Sequence, residues 1–202
     1  MKAETIGQIS GLIVMVSAMP YAIRVYQRKI TLNLISWIIW SIIGWALLAT
    51  YDASGATSNI WPAILGAANP TIITVLAWWR GSSKKIDGWD IACGLIGIIA
   101  IASWILVRNE PSKVQFALYL AIIADACAGI PILKFVWKNP HEDRPFAWGM
   151  FGIGYGLSIL AITEHTFANY ALPVYMLIAA SMICGVLCVY RIRNRLPITE
   201  WV

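Results

Sequence analysis

Residues 17–29 read SAMPYAIRVYQRK, an apolar segment that is interrupted by Pro20 and then gains three positive charges. Proline removes an intrahelical hydrogen bond, and in a bilayer the freed carbonyl must find a partner inside the protein. The apolar run before this stretch begins near Ile6 and has no small-residue cleavage site after it, so we expect it to be retained. The stretch therefore predicts the end of a first transmembrane helix at a positively charged face of the membrane.

The composition of the whole chain extends this interpretation. The 202 residues are 59% hydrophobic and 12% charged, with a mean hydropathy of +0.71, whereas soluble domains have about 45–50% apolar and about 25% charged residues. Because a bilayer needs about 20 apolar residues per helix, the sequence predicts an all-α membrane protein with seven spans. The predicted spans are Ile6–Val25, Leu32–Tyr51, Ile60–Trp79, Gly88–Val107, Val114–Trp137, Phe146–Ile162 and Tyr170–Tyr190.

The distribution of lysine and arginine predicts the orientation. When the connections are assigned alternately to two sides, one side collects twelve of the 15 basic residues and the other only three. Since positive charge marks the cytoplasmic side, we expect the N-terminus outside, the C-terminus in the cytoplasm and residues 196–202 as a short cytoplasmic tail. The short loops and strong charge bias favour a prokaryotic inner membrane.

Several classes of function are disfavoured by the residue pattern. The basic residues are grouped between apolar runs, as orientation signals are, so nucleic acid is not an expected partner. The cysteines lie inside apolar runs without a CxxC pair, so no metal is expected. No nucleophile and base occur at a plausible spacing, and no cofactor ligand set is visible, so we do not expect an enzyme.

An internal repeat divides the predicted helices into two units. A shift of 111 residues aligns Pro20 with Pro131 and Pro62 with Pro173, together with Trp37 and Arg80 on their counterparts. The offset places the first three spans on the last three, so two parallel units are joined by one linking helix. We predict a first bundle at 1–80, a linker helix in 81–112 and a second bundle at 113–195.

The four repeated prolines are candidate hinges. Pro20 and Pro131 lie toward the cytoplasmic ends of their helices, and Pro62 and Pro173 near the outer ends. Each is open to two interpretations, a packing kink or a hinge. Their symmetric positions favour hinges for alternating access.

The stretch around Pro20 resembles the first-helix end of the PQ-loop superfamily and, within it, of the SWEET sugar transporters. The second unit repeats the theme in residues 128–134, AGIPILK, although Tyr21 and Ile132 replace the glutamine that names the PQ-loop. This resemblance implies a 3+1+3 helix order, a pore between two three-helix bundles and a solute pocket near the midplane. The same fold also serves cystine, cationic amino acid and vitamin carriers, and a receptor that sorts proteins instead of transporting solutes.

Asp125 is the strongest candidate for function because it lies near the middle of the fifth span. A charge at the centre of a membrane helix costs about 2.5–3.5 kcal/mol on insertion scales and usually faces a cavity on a substrate or proton path. Its structural alternative is a carboxylic acid that bonds a freed backbone carbonyl. As a functional group it would bind a cationic or hydroxylated solute, or couple transport to protons.

Four further residues complete the predicted substrate site. Asn69 precedes Pro70 in the third span, where an amide meets a break in the helix, and an interhelical hydrogen bond is its alternative role. In SWEET-like proteins an asparagine of each third helix contacts the sugar; Asn69 matches this position, while Ala180 stands at the equivalent place. Tyr155, Ser158 and Trp45 are candidates for the same cavity.

The sequence therefore predicts a carrier of a small polar solute, such as a sugar, amino acid or vitamin, that is either facilitative or proton-coupled. A receptor or sorting protein on the same fold is the alternative, although residues 196–202 show no recognisable cytoplasmic signal. The expected partners are the solute and the lipid bilayer. A single chain carries both units and needs no dimer to form a pore, and a homo-oligomer is also compatible with this pattern.

Overall fold

The structure, a computed structural model, describes residues 2–29, 34–81, 88–107 and 110–201. Over these residues the chain is helical and contains no strand, which confirms the predicted all-α class. Every predicted span corresponds to a helix, and the fourth has the predicted bounds. The helices are α1 Ala3–Ser17, α2 Met19–Tyr26, α3 Leu34–Ala53, α4 Trp61–Trp79, α5 Gly88–Val107, α6 Pro111–Lys138, α7 Pro145–Ser158 and α8 Phe167–Arg193.

Four helical segments of the described chain are long and apolar enough to cross a membrane. They are Ala3–Tyr26, Ser58–Trp79, Lys113–Lys138 and Phe167–Arg193, with 22 to 27 residues each. The apolar segments Trp37–Ala53 and Pro145–Ala161 are shorter; at about 1.5 Å per residue they extend roughly 26 Å, slightly less than the hydrocarbon core. The helices are thus consistent with a membrane protein, while the seven-span count and the orientation stay predictions.

The first helical segment is interrupted at Ala18, between α1 and α2. The Ala18 N–H bonds to the carbonyl of Met15, 3.3 Å away and three residues back. Pro20 has no N–H to offer Val16 four residues earlier. The Val14 carbonyl instead accepts the Ser17 hydroxyl at 2.6 Å and the side-chain amide of Asn69 at 2.8 Å. The Val14 carbonyl, which lacks the Ala18 N–H as its usual helical donor, is therefore satisfied by groups inside the protein, as an apolar environment requires.

The helices form two groups, which we call the first half (α1–α4) and the second half (α6–α8). In the first half α4 packs against both α1 and α3, and in the second half α8 packs against both α6 and α7. The halves meet where α1 packs on α7 and α3 packs on α6. Helix α5 lies against α3 and α6.

Glycines allow α1 to approach its neighbours closely. A Cβ added to Gly7 would overlap the carbonyl oxygen of Ser58, and one added to Gly11 would lie 3.0 Å from the backbone of Trp61. At the contact with α7, a Cβ on Gly154 would lie 2.5 Å from Val14 Cγ2 and 2.9 Å from the Ser10 carbonyl oxygen. Small residues at helix contacts are typical of membrane bundles, where close packing replaces the hydrophobic effect.

The core is shared between the halves in one region and divided in another. One cluster of buried residues draws on both halves, with Val14, Ile43 and Ala63 packed with Leu118, Tyr155 and Leu172. A second cluster, around Val25 and Ile73, contains only first-half residues. A third cluster, around Val136 and Leu187, contains only second-half residues.

The two ends of the bundle differ in chemistry. We call the end that carries Arg24, Arg80, Arg144 and Arg191 the basic end. Arg80 lies over the Tyr26 ring of α2, and Arg191 at the end of α8 bonds to Asp143 in the α6–α7 connection. Arg24 and Arg144 line the same cleft. We call the end that carries Tyr51, Asn59 and Asn169 the opposite end. The second and third clusters lie toward the basic end, and their members Val25, Ala77 and Leu187 lie within one helix turn of Arg24, Arg80 and Arg191.

We expect Gly154→Ala to destabilise the protein, because its Cβ would overlap Val14 and Ser10. Overpacking of this kind costs about 1–3 kcal/mol, which corresponds to several degrees in Tm. Gly185→Ala is the matched control: it is also in a helix, has no atom within 4 Å of the new Cβ and should be neutral or stabilising. Thermal unfolding in one detergent compares the two, and equal Tm values would contradict the close contact of α1 with α7.

Candidate functional site

Asp125 lies in the interior of α6 and is bonded by a tyrosine of α8. The Tyr175 hydroxyl donates to Oδ2 of Asp125 at 2.8 Å, and both side chains are half-buried. Within the described chain no lysine, arginine or histidine forms an ion pair with this carboxylate. A carboxyl group without a counter-cation in the middle of a membrane helix is costly, and such groups usually mark a solute or proton path.

Tyr155 of α7 lies within electrostatic range of Asp125 and has its own bond to the first half. Its ring is 4% exposed, and its hydroxyl donates to the Pro62 carbonyl at 3.1 Å. Ser158 is fully buried one turn later, but its hydroxyl donates to the Tyr155 carbonyl at 2.7 Å. Tyr155 thus belongs to the buried cluster against which Tyr175, the partner of Asp125, packs, while Ser158 bonds within its own helix.

Asn69 lies on α4 and contacts α1 at the helix break. Its amide nitrogen donates to the Val14 carbonyl, and the side chain is 7% exposed. Pro70 follows it inside α4. This placement matches the interhelical alternative considered above, and the proposed contact of Asn69 with a solute stays a prediction.

Trp45 is not brought together with the other predicted residues. Its indole is 49% exposed, and Nε1 donates to the Thr71 hydroxyl of α4 at 3.0 Å. The buried face of α3 is formed by Ile43, Ala46 and Leu47. Position 45 lies between these residues in sequence but on another side of the helix, because successive residues rotate by about 100°.

The four candidate hinge prolines occupy different positions in their helices. Pro20 follows the break at Ala18 and lies in the first turn of α2. Pro62 lies in the first turn of α4, where a missing N–H costs the helix no bond. Pro173 is inside α8, and α6 continues through position 131, although the side chain of Pro131 lies outside the described residues.

A buried polar network at the opposite end was not anticipated from the sequence. Tyr51 of α3 donates to the Asn169 carbonyl at 2.8 Å and accepts a hydrogen bond from the Asn59 amide. The Asn169 amide donates to the carbonyls of Glu164 and Gly55, at 2.9 and 3.4 Å. The three side chains are at most 2% exposed. The sequence did contain a signal for this network: Asn59 and Asn169 precede Pro62 and Pro173, the prolines of α4 and α8, by about one helix turn.

This network ties the first half to the second. Tyr51 and Asn59 come from the first half and Asn169 from the second. A hydrogen bond of 2.9 Å between Thr57 and Thr163 also joins the α3–α4 connection to the α7–α8 connection. Buried polar groups that bond to one another hold their helices in a specific arrangement. The opposite end is therefore joined by directional bonds in addition to apolar packing.

The basic end is joined differently. A narrow cleft there is lined by first-half residues Pro20, Tyr21 and Arg24 and by second-half residues Asp143, Arg144, Phe146 and Ala147. The structure gives no hydrogen bond or ion pair between these two groups of described residues. The halves thus face each other across a cleft at this end.

Among the described residues, the interior offers one carboxylate, several tyrosine hydroxyls and amides, which are groups for binding a polar solute or moving a proton. Over the described chain no group of three or more His, Cys, Asp or Glu side chains is placed to hold a metal. No family model matches the chain, and no solved structure matches it.

We expect Tyr175→Phe to lower stability by about 1 kcal/mol, since it removes the hydrogen bond to Asp125. In Asp125→Asn the same Tyr175→Phe change should cost less, because a neutral partner makes a weaker bond. Tyr190→Phe is the control, as its hydroxyl has no hydrogen-bond partner within the described residues. The Tm values of the wild type, the two single variants at positions 125 and 175 and the double variant give the coupling between the two side chains. A coupling of zero would contradict the Asp125–Tyr175 bond.

Proposed function

We propose that the protein is a membrane carrier that moves a small polar solute by alternating access. The observation that carries this proposal is Asp125, an interior carboxyl group that is bonded by Tyr175 and has no ion-pair partner in the described chain. A carboxyl group that serves only packing would be replaceable by an apolar residue at a gain in stability. A group that meets a polar solute or a proton has to stay polar.

Equivalent contacts in the two halves support a two-unit mechanism. When the interrupted segment α1–α2 is counted as one helix, α4 is the third helix of the first half and α8 is the third helix of the second. Helix α4 packs on α1 and α3, and α8 packs on α6 and α7 in the same way. The contacts between halves correspond as well, since the first helix of each half packs on the second helix of the other. This pattern is what two parallel repeats around an axis along the membrane normal would produce.

The apolar clusters of the basic end support the same repeat at residue level. A shift of 111 residues places Val25 on Val136, Trp37 on Trp148 and Leu76 on Leu187, and each pair lies in corresponding clusters. Tyr21 and Ala22 fall on Ile132 and Leu133 in the same way. Units at 1–80 and 113–195, with α5 as the linker helix, are therefore part of the proposal.

The difference between the two ends supports alternating access. The opposite end is tied by the Tyr51–Asn59–Asn169 network, whereas the basic end has a cleft between two separate clusters. Alternating access requires that one end of the carrier is closed while the other end can open. In this proposal seven helices span the membrane, the basic end faces the cytoplasm and the structure corresponds to a state closed toward the outside.

Ligand-dependent stability tests the proposal with defined probes. The panel contains a hexose, a cationic and a neutral amino acid, and a water-soluble vitamin. A solute that binds only the folded protein adds about 2.7 kcal/mol at 100 times its Kd, which raises Tm by several degrees. Asp125→Asn should lose this shift, while Asp52→Asn, an exposed carboxylate at the opposite end, should keep it.

Uptake into proteoliposomes then separates the two coupling modes. Counterflow of the shifting solute that ignores an imposed pH gradient indicates facilitative transport. If the pH gradient accelerates uptake by the wild type but not by Asp125→Asn, transport is coupled to protons. Binding without any uptake in either mode would contradict the carrier and favour a receptor on the same fold.

We expect Asn169→Ala to open the opposite end, because it removes the bonds to Glu164 and Gly55. A cysteine placed at Tyr51 or Ala56 would be accessible after that opening, and Ala56→Cys keeps the network intact. In a background without native cysteines, labelling of Ala56→Cys by an impermeant maleimide should rise several-fold with Asn169→Ala. Ala53→Cys, already exposed and outside the network, is the control for reagent reactivity, and unchanged labelling of Ala56→Cys would contradict a gate at this end.

A further inference from the structure

Residues 196–201 fold back onto the basic end and contact the start of α7. The Phe146 N–H donates to the Trp201 carbonyl at 3.0 Å, and Arg144 forms an ion pair of 2.7 Å with the Glu200 carboxylate. A 3₁₀ turn at Ile198–Glu200 gives this segment its own local structure. We refer to Leu196–Trp201 as the strap.

The strap supplies a helix cap that the local sequence lacks. Residue 144 is the N-cap of α7 and its side chain makes no capping bond, while Pro145 has no N–H. The first free N–H groups of a helix need acceptors, and the Trp201 carbonyl provides one for Phe146. A segment far along the chain thus completes the first turn of α7.

Arg191 connects the strap to the α6–α7 connection. This side chain is fully buried at the end of α8. It donates to the carbonyls of Glu200 at 2.6 Å and Pro140 at 3.1 Å, and also to the carbonyl of Asp143. The guanidinium group is suited to this role because its planar array of donors can serve several acceptors at once.

Within the described residues the first half shows no comparable device. Arg80 is the counterpart of Arg191 at the 111-residue offset, yet its guanidinium lies over the Tyr26 ring at 4.0 Å, and its Nε has no hydrogen-bond partner among the described residues. In the part of the chain that the structure describes, a strap is therefore seen on the second half. Any effect that it has on the basic end is exerted on one wall of the cleft.

That wall is the part of the second half that faces Pro20, Tyr21 and Arg24. Asp143, Arg144, Phe146 and Ala147 line the cleft, and three of these four bond directly to Arg191 or to the strap. Asp143 is also held by Trp148, whose Nε1 donates to Oδ2 at 2.9 Å. Movement of the strap would therefore change the position of this wall.

We infer that Arg191 is a positioning residue which, through the strap, sets the opening of the basic-end cleft. With the strap in place, the Phe146 N–H at the start of α7 has its acceptor and Arg144 has its ion pair with Glu200. Without the strap, this hydrogen bond and this ion pair are lost, and the wall of the cleft can move. The consequence for transport rests on the proposed carrier function, because the cleft would be the entrance on that side. The structural consequence stands apart from that function.

Truncation after Arg195 tests the structural consequence. In a background without native cysteines, Ala147→Cys reports the cleft and exposed Ala53→Cys reports the opposite end. We expect truncation to speed labelling of Ala147→Cys several-fold and to leave Ala53→Cys unchanged. Amide exchange at Phe146 should accelerate about ten-fold, because its acceptor is lost.

Point variants keep the test informative if the truncated protein is unstable. Arg191→Lys retains the charge but not the array of donors, so it should reproduce the faster labelling in part. Glu200→Gln weakens only the pair with Arg144 and should have a smaller effect. Thr199→Ala, an exposed strap residue, should behave as wild type. Unchanged labelling and exchange in both the truncated protein and Arg191→Lys would overturn the inference.

Uptake measurements separate this inference from the proposed function. In a functional carrier, truncation should change the maximal rate of uptake and leave the binding-induced Tm shift intact, since the strap does not contact Asp125 or Tyr175. A merely structural strap would lower Tm without altering that rate and would overturn the role in gating. Faster labelling in a protein that transports no solute would support the structural inference about the strap and would contradict the carrier proposal.

Discussion

The arrangement of the first half depends on one hydrogen-bonding requirement at the break between α1 and α2. The Val14 carbonyl is left without its usual helical donor and is satisfied by Ser17 and Asn69. An unpaired carbonyl in an apolar environment costs several kcal/mol, and the donors Ser17 and Asn69 both remove this cost. The Asn69 bond also holds α4 close to α1. Gly7 and Gly11 permit that approach, and Gly154 lets the same helix pack on α7. Helix α1 consequently contacts both α4 of its own half and α7 of the second half.

Periodicity and composition were sufficient for the helices but not for the partners of their polar side chains. All seven apolar runs correspond to helices, and the proline at position 20 indicated the interruption at Ala18, because local chemistry determines both features. The bond from Tyr175 to Asp125 depends on how α8 packs against α6, which no local pattern encodes. Trp45 illustrates the same limit, since a residue in a wholly apolar helix carries no signal for the side that it faces.

Under the proposed repeat, the two halves use equivalent positions for different chemistry. Position 125 corresponds to position 14 at the 111-residue offset, and both are bonded from the third helix of their own half. In the first half the acceptor is a backbone carbonyl and the donor is Asn69; in the second half the acceptor is the Asp125 carboxylate and the donor is Tyr175. The donors stand at different positions, since Asn69 corresponds to Ala180 and not to Tyr175, so only the placement of the acceptor residue is shared.

The opposite end has the properties of an interface that can separate. Its network is buried and directional, so it holds the halves in one arrangement. Yet the Asn169 side-chain oxygen is buried without a hydrogen-bond partner, and an unsatisfied acceptor of this kind reduces the stability of the closed arrangement by about 1–3 kcal/mol. Opening would expose that oxygen to water and recover part of this energy. Under the proposed function, a closed end that is specific but not maximally stable is what a carrier requires, because both of its states must be accessible.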